Sequence, residues 1–214
     1  MIIYYSELKL IITGNPPYFN KIGQYISKQL NSSFFNYLNR SIKFIPIRQD
    51  HFPLLLKWLK APHVKAFWDP NIQWTKELIT EKYSTYIEGY KLENGIKKLI
   101  YAFIIYLDDL PIGYIQFYNA YDFEREYNIK LENLPTSLAT LDIFIGEEQF
   151  IGNGLGTIVI NKFLKKFILK KFKACFVDVE AVNTLAVKAY KNNGFKVINN
   201  LQDGKILRML KHKT

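Results

Sequence analysis

Residues 149–156 read Gln-Phe-Ile-Gly-Asn-Gly-Leu-Gly, and the chain runs on into Thr157-Ile-Val-Ile. Glycines at alternate positions leave a backbone with little side-chain cover, directly ahead of an apolar run with helical periodicity. Such a loop can point several N–H groups at one anion, and the positive end of the following helix dipole adds to the attraction. A phosphate-bearing ligand is the expected occupant. A Walker loop ends in Gly-Lys-Ser/Thr, whereas Gly156 is followed by Thr157 with no lysine before it. A dinucleotide fold places G-x-G-x-x-G near the start of a βαβ unit, whereas this run is G-x-G-x-G and lies late in the chain.

The neighbouring sequence supplies a framework for the loop. Leu141-Asp142-Ile143-Phe144-Ile145 reads as an apolar strand just before it, and Ala174-Cys175-Phe176-Val177-Asp178-Val179 as a strand after the loop helix. A short helix then carries Asn183-Thr-Leu-Ala186-Val-Lys-Ala189-Tyr190 and ends at Gly194-Phe195. The spacing Gln149-x-x-Gly152-x-Gly154 and the Asn183…Tyr190…Gly194-Phe195 pattern, in this order, resemble the GNAT acetyltransferases. The resemblance implies an α/β fold with a central mixed, mostly antiparallel sheet flanked by helices. It also implies acetyl-CoA as cosubstrate, held by Gln149, Phe150, Ile151, Gly152, Asn153, Gly154, Leu155, Gly156 and Thr157, by the backbone of Ile143, Phe144 and Ile145, and by Asn183 and Ala186.

Composition agrees with a globular α/β protein. Of 214 residues, 49% are hydrophobic and 16% aromatic, enough for a sizeable core. The single cysteine, Cys175, lies in an apolar strand and reads as a small buried hydrophobe; with no partner for a disulfide, a reducing, cytoplasmic setting is expected. The apolar run from Leu99 to Leu107 is too short to span a bilayer, and no basic region precedes the first apolar residues, so neither a membrane nor a signal peptide is expected. The net charge is +10. Its densest part, Lys165, Lys166, Lys170, Lys171 and Lys173, alternates with Phe163, Leu164, Phe167, Ile168 and Phe172 at helical spacing, which describes a solvated helix face in preference to a nucleic-acid site. The other role open to these lysines is contact with the CoA 3′-phosphate.

Two parts are expected: an N-terminal extension over residues 1–40 and the acetyltransferase domain over 41–214. Ile22, Tyr25, Ile26, Gln29 and Leu30 suggest an amphipathic helix in the extension, after a turn at Asn15-Pro16-Pro17. The extension can pack on the domain, form a homodimer or carry a partner site. In the domain, Ile42–Ile47 reads as the first strand, Asp50 as N-cap of a helix that Ala61-Pro62 ends, and Thr75 as cap of a helix stopped by Gly89. Lys98–Leu107 and Pro111–Tyr118 are expected to form a hairpin across Asp108-Asp109, residues 119–137 a long loop, and Gly204 the turn of a last hairpin.

Further segments narrow the resemblance. His51-Phe-Pro-Leu-Leu-Leu-Lys57-Trp58-Leu59, Val64-Lys-Ala-Phe67-Trp68, Pro111-Ile-Gly-Tyr114-Ile-Gln116-Phe-Tyr118, Tyr121-Asp122 and Asp142-x-Phe144-Ile-Gly146-Glu147 are similar to the aminoglycoside 6′-N-acetyltransferases over residues 44–210. Hydroxamate-siderophore acyltransferases belong to the same branch. This chain departs from the pattern in residues 1–40 and at Val179-Glu180-Ala181-Val182, which borders the acceptor site.

The chemistry is attack of a neutral amine on a thioester carbonyl. A carboxylate near the amine can anchor its ammonium form and accept the proton. Asp142 interrupts an apolar strand and is the candidate; the alternative is a capping or paired carboxylate. The thiolate leaving group needs a proton donor. Tyr190 occupies the family's tyrosine position, where the resemblance implies that its phenol serves; the alternative is a core aromatic. A backbone N–H of residues 143–145 would polarise the thioester oxygen, again as the resemblance implies. Asn183 reads as a pantetheine contact, an N-cap, or both. Asp178, Glu180, Asp122 and Trp68 are the acceptor-side candidates, set against a strand-end turn, a solvated loop and a packed core. Glu124 and Glu126 share that loop, and Trp74 resembles Trp68 in its choice between cleft and core. His51, His63 and His212 lack metal spacing, so no metal is expected. The expected reaction is direct acetyl transfer to a primary amine, best an aminoglycoside-like aminosugar, in an antibiotic-resistance setting. The alternatives are a siderophore-type hydroxylamine, a polyamine or a protein amine, or a non-catalytic CoA binder.

Overall fold

The computed structural model describes residues 2–5, 8–11, 37, 40–124 and 130–213. The helix expected at residues 22–30, the turn at 15–17, and Glu126 lie outside the described residues. Ahead of them lies an antiparallel hairpin, β1 (Ile2–Tyr5) and β2 (Leu8–Ile11). Tyr37 is buried in the main core and meets Phe150 edge-on at 6.2 Å, so packing on the domain begins upstream of Ser41.

The domain is built on one seven-stranded sheet. Its strands are β3 (Ile42–Pro46), β6 (Tyr101–Leu107), β7 (Leu110–Asn119), β8 (Leu138–Ile145), β9 (Ala174–Glu180), β10 (Lys196–Leu201) and β11 (Ile206–His212), in the spatial order β10-β11-β9-β8-β7-β6-β3. β6 and β7 are near-continuous apolar runs paired on both sides; β3, with Pro46, and the polar β10 take the edges, where a missing ladder donor or a wet face is tolerated. All pairings are antiparallel except β8 with β9.

Helices cover both faces. On one, α1 (Phe52–Lys60), α2 (Pro62–Lys65) and α3 (Lys76–Ile87) bury Trp58, Leu59, Ile79 and Tyr83 against Ile104, Tyr114 and Phe144. On the other lie α4 (Leu155–Phe163), prolonged by a π turn over Leu164–Ile168 and a last turn over Leu169–Lys171, and α5 (Thr184–Asn192). These bury Val159, Phe163 and Tyr190 against Phe103, Phe117 and Val177. Buried Asn193 ties the two helices together, donating to Thr157 O at 3.0 Å and to Ala189 O at 2.9 Å.

Two local expectations are corrected. Lys98 does not belong to the central hairpin. It sits in a separate one, β4 (Tyr90–Glu93) with β5 (Ile96–Leu99), turning at Asn94 and Gly95 with φ of 49° and 77°. Asp50 does not cap α1. It lies in a 3-10 turn (Gln49–His51) and pairs with Arg48 at 3.0 Å, while buried His51 accepts the Arg48 amide on Nδ1 at 3.1 Å. Thr75, by contrast, caps α3 by accepting from Leu78 N, and Gly89 follows it at φ 82°.

Candidate active site

β8 and β9 pair only where Leu138, Ala139 and Thr140 lie opposite Ala174, Cys175 and Phe176. Beyond that point each strand stays paired on its outer side, β8 with β7 and β9 with β11, while the two share no ladder. The sheet therefore opens between Leu141–Ile145 on one side and Val177–Glu180 on the other. The register decides what faces the opening. Gly146 N donates to Ile112 O at 2.8 Å, so the even residues of β8 bond β7; the amides of Ile143 and Ile145 then point toward the opening.

The glycine loop lies at the end of β8. Gln149 and Phe150 belong to a 3-10 turn (Glu148–Phe150), and Asn153 Nδ2 donates to Gln149 O at 3.3 Å. Gly152 and Gly154 are left-handed, at φ 78° and 80°, a conformation strained for residues with a Cβ. Gly154 is the N-cap of α4 and has no side chain to cap it, so the first-turn amides of Leu155 and Gly156 precede the first bonds to Gly154 O, made by Thr157 and Ile158. A Cβ on Gly152 or Gly156 would meet nothing within 4 Å. Bare amides at a helix N-terminus beneath open space suit a diphosphate.

Asp142 and Tyr190 approach the opening from opposite faces of the sheet. Asp142 is half-buried on the α1–α3 face, and its Oδ2 accepts from Gln116 Nε2 at 2.7 Å. Tyr190 is buried on the α4–α5 face, edge-on to Phe195 at 5.3 Å. Burial pushes the Tyr190 phenol well up, and the charge of Asp142 and the nearby Cys175 add to it, so the group stays protonated. Burial likewise raises the Cys175 thiol, with Asp142 adding to it; the sulfur is no nucleophile at neutral pH. Asn183 is an N-cap: its Oδ1 accepts from Ala186 N at 3.2 Å at the start of α5.

A family model for the acetyltransferase (GNAT) domain matches residues 48–202, well over half the chain. The chain belongs to the GNAT acetyltransferases. The GNAT domain is accordingly an acyltransferase domain. Among solved structures, the aminoglycoside acetyltransferase AAC(6')-Ib in complex with coenzyme A and kanamycin superposes with a TM-score of 0.66 at 20% identity, covering 81% of this chain and 95% of that one. The aminoglycoside N(6')acetyltransferase of Legionella pneumophila gives 0.58 at 22%, covering 80% and 91%. The spermidine N-acetyltransferase of Vibrio cholerae, in complex with CoA and spermine, gives 0.59 at 15%, covering 80% and 95%. These likenesses establish the fold.

Within the GNAT fold the remaining candidates separate. Trp68 packs edge-on against Phe144 at 5.0 Å and Tyr114 at 5.9 Å, forming the wall next to Asp142. Trp74 is core, at 6.2 Å from Tyr83. Asp178 is not a strand-end residue: it sits within β9 and takes a bidentate bond from buried Arg208 at 2.8 and 2.7 Å. Its charge is thereby matched, which removes the open anionic anchor expected of it. Glu180 is exposed at the end of β9, and Asp122 lies in the turn Ala120–Asp122, accepting from Asn119 at 3.4 Å. Exposed Glu124 belongs to the loop, where it accepts from Asn94 at 3.3 Å. Lys165, Lys166, Lys170 and Lys171 are exposed on the far end of α4 and its extension; Lys165 is nine residues, about 13 Å of helix rise, beyond Gly156. They form a solvated face. Sequence reasoning missed Arg208, and it did not assign a role to Gln116 or Tyr114. Among the described residues no cluster of metal-ligating side chains occurs, and no helix is long and apolar enough to cross a membrane.

Proposed function

We infer that this GNAT domain, over residues 41–214 with 1–40 as an extension, acetylates a primary amine of an aminosugar of the aminoglycoside class. The observation that carries the reading is Asp142: a carboxylate on an otherwise apolar strand, at the point where the sheet opens, walled by Trp68, Tyr114 and Phe144. A carboxylate attracts an ammonium, and flat aromatic faces suit the apolar faces of sugar rings. The aminoglycosides in the sites of similar folds agree in chemical class.

The steps balance without a covalent enzyme intermediate. Asp142 accepts a proton from the ammonium, directly or through water, freeing the nitrogen lone pair. The nitrogen attacks the thioester carbon of acetyl-CoA as a backbone amide of residues 143–145 polarises its oxygen. The C–S bond breaks, and the departing thiolate takes the phenolic proton of Tyr190; the nitrogen's remaining extra proton passes through water to the Tyr190 phenolate, and Asp142 returns its proton to solvent. Thiol release from acetyl-CoA, measured against kanamycin, ribostamycin, spermine and a hydroxylamine, tests the reading. Turnover is expected with kanamycin and ribostamycin. Turnover of spermine or the hydroxylamine alone would reject the aminosugar assignment and leave the family assignment standing.

A further inference from the structure

We propose that Gln116, set in turn by Tyr114, is the positioning residue that holds Asp142 in one orientation and one hydrogen-bonding state. This deepens, and rests on, the reading of Asp142 as the group that receives the amine proton. Gln116 and Asp142 face each other across the β7–β8 ladder, and Gln116 Nε2 donates to Asp142 Oδ2 at 2.7 Å. Behind it, Tyr114 OH donates to Gln116 Oε1 at 2.7 Å. Gln116 is 8% exposed and Tyr114 fully buried, so the Tyr114–Gln116 link is closed to bulk water, and the half-buried Asp142 end faces the opening.

The polarity of this chain has one consistent solution. An ionised carboxylate only accepts, which places the amide nitrogen toward Asp142 and the amide oxygen toward Tyr114. Tyr114 must then donate. It is locked to do so: its ring stacks on Phe144 at 5.6 Å and meets Trp68 and Tyr83 edge-on at 5.9 and 5.7 Å, and burial keeps its phenol protonated. Linked donors of this kind polarise one another and resist reorientation. A bond donated to Oδ2 disfavours protonation at that oxygen.

The surroundings give Gln116 weight. Among the described residues, the titratable groups coupled to Asp142 include Tyr83 and Tyr86 from α3, Tyr114 from β7, Cys175 from β9 and Tyr190 from α5, and burial keeps each of them neutral. None of these five offsets the carboxylate's charge, whereas a short bond from a buried amide stabilises the ionised form directly.

The test is a carboxyl titration of the full-length protein labelled with ¹³C at aspartate side chains, the Asp142 signal being assigned by its loss in Asp142→Asn. Gln116→Leu should raise the Asp142 midpoint by about one pH unit, and Tyr114→Phe by about half as much, because a donor to the charged form is lost or loosened. A merely structural role would change thermal stability and leave both midpoints in place. Should Gln116→Leu fail to fold, Tyr114→Phe, which keeps every ring contact, decides alone. Midpoints within about 0.2 units of the native protein would overturn the proposal. A parallel kanamycin assay separates the two readings. If Asp142→Asn turns over as fast as the native enzyme, the catalytic reading falls and the positioning role with it. If Asp142→Asn is inactive and the midpoints do not move, only the positioning role falls.

Discussion

Gly156→Asp sets stability and ligand binding in opposition, which makes it the sharpest test of the glycine loop. Gly156 is the second residue of α4, its backbone is not left-handed, and a Cβ there meets nothing within 4 Å. An aspartate fits without strain. In the unliganded protein it supplies a negative charge to a helix N-terminus that no side chain caps, worth about 0.3–1 kcal/mol. Replacing glycine inside a helix adds a few tenths, so melting should rise by roughly 2–4 °C per kcal/mol for a chain of this size. Bound CoA reverses the balance. For unit charges about 6 Å apart at an effective dielectric of 20, repulsion from the diphosphate is roughly 3 kcal/mol. Affinity should fall by about two orders of magnitude, since each 1.4 kcal/mol is about tenfold. Gly156→Asn matches the shape without the charge and should lose less than about tenfold by the same arithmetic. Calorimetric titration with CoA and differential scanning calorimetry, at low and moderate salt, give both numbers; screening should shrink the aspartate penalty. A Gly156→Asp protein that melts at or above the native temperature and binds CoA within threefold of native would refute the loop as the phosphate cradle.

Other perturbations address the rest of the site. Tyr190→Phe keeps the packing against Phe195 and removes the proton donor, so kcat should drop by about 10- to 10⁴-fold with CoA affinity unchanged; a kcat within twofold, with chemistry rate-limiting, rejects the role. Gly146→Ala would drive a Cβ to 2.3 Å from the fully buried Trp58 ring and should cost about 1–3 kcal/mol in urea denaturation, or more if the ring cannot move. Burial lowers the folded-state pKa of His51 below its ordinary value, so the unfolded chain binds the extra proton and stability should decline as pH falls below about 6.5. In His51→Asn, which keeps an acceptor for the Arg48 amide, that acid-side loss should be smaller; parallel curves of unfolding free energy against pH for the two proteins would dismiss this account.

What could be read from the chain, and what could not, divides by sequence distance. The glycine loop, the Thr75 cap and the Asp108-Asp109 turn are local, each a residue type suited to a particular backbone geometry, and all appear where expected. The β4–β5 hairpin was also legible: Asn94-Gly95 between Tyr90–Glu93 and Ile96–Leu99 is a strong short-range turn signal, but the apolar residues after it masked the break at Ile100. Asp50 misleads because aspartate suits both a cap and an ion pair, and Arg48 two residues away takes it. The partners of Asp178 and Asp142 lie 30 and 26 residues away, at Arg208 and Gln116, and become neighbours only through strand pairing. No periodicity carries that information. It is the reason a carboxylate matched by an arginine and one held by an amide at the opening look alike in the sequence.

The strand β8 explains why such a site needs so few polar residues. Its odd positions, Leu141, Ile143 and Ile145, pack toward α4 and turn their amides to the opening; its even positions, Asp142 and Phe144, face α1–α3. One strand thus presents in-plane amide donors and a carboxylate at the opening, set at right angles by the pleat; these are the groups that the proposed reaction uses. A slip of one residue would exchange all of these roles at once. The end of the strand is fastened accordingly. Gly146 and Glu147 both donate to Ile112 O, His63 Nε2 bonds Ile145 O at 3.2 Å, and Glu147 accepts from Trp58 and Lys57 at 2.8 and 2.6 Å. Gly146 lets the Trp58 ring lie against the backbone there, where any Cβ would collide with it. Packing of α1 and α2 therefore sets the register of β8, and the register sets the chemistry. The resemblance segment His51–Leu59, remote from the glycine loop in sequence, reaches the end of β8 through these contacts of Lys57 and Trp58.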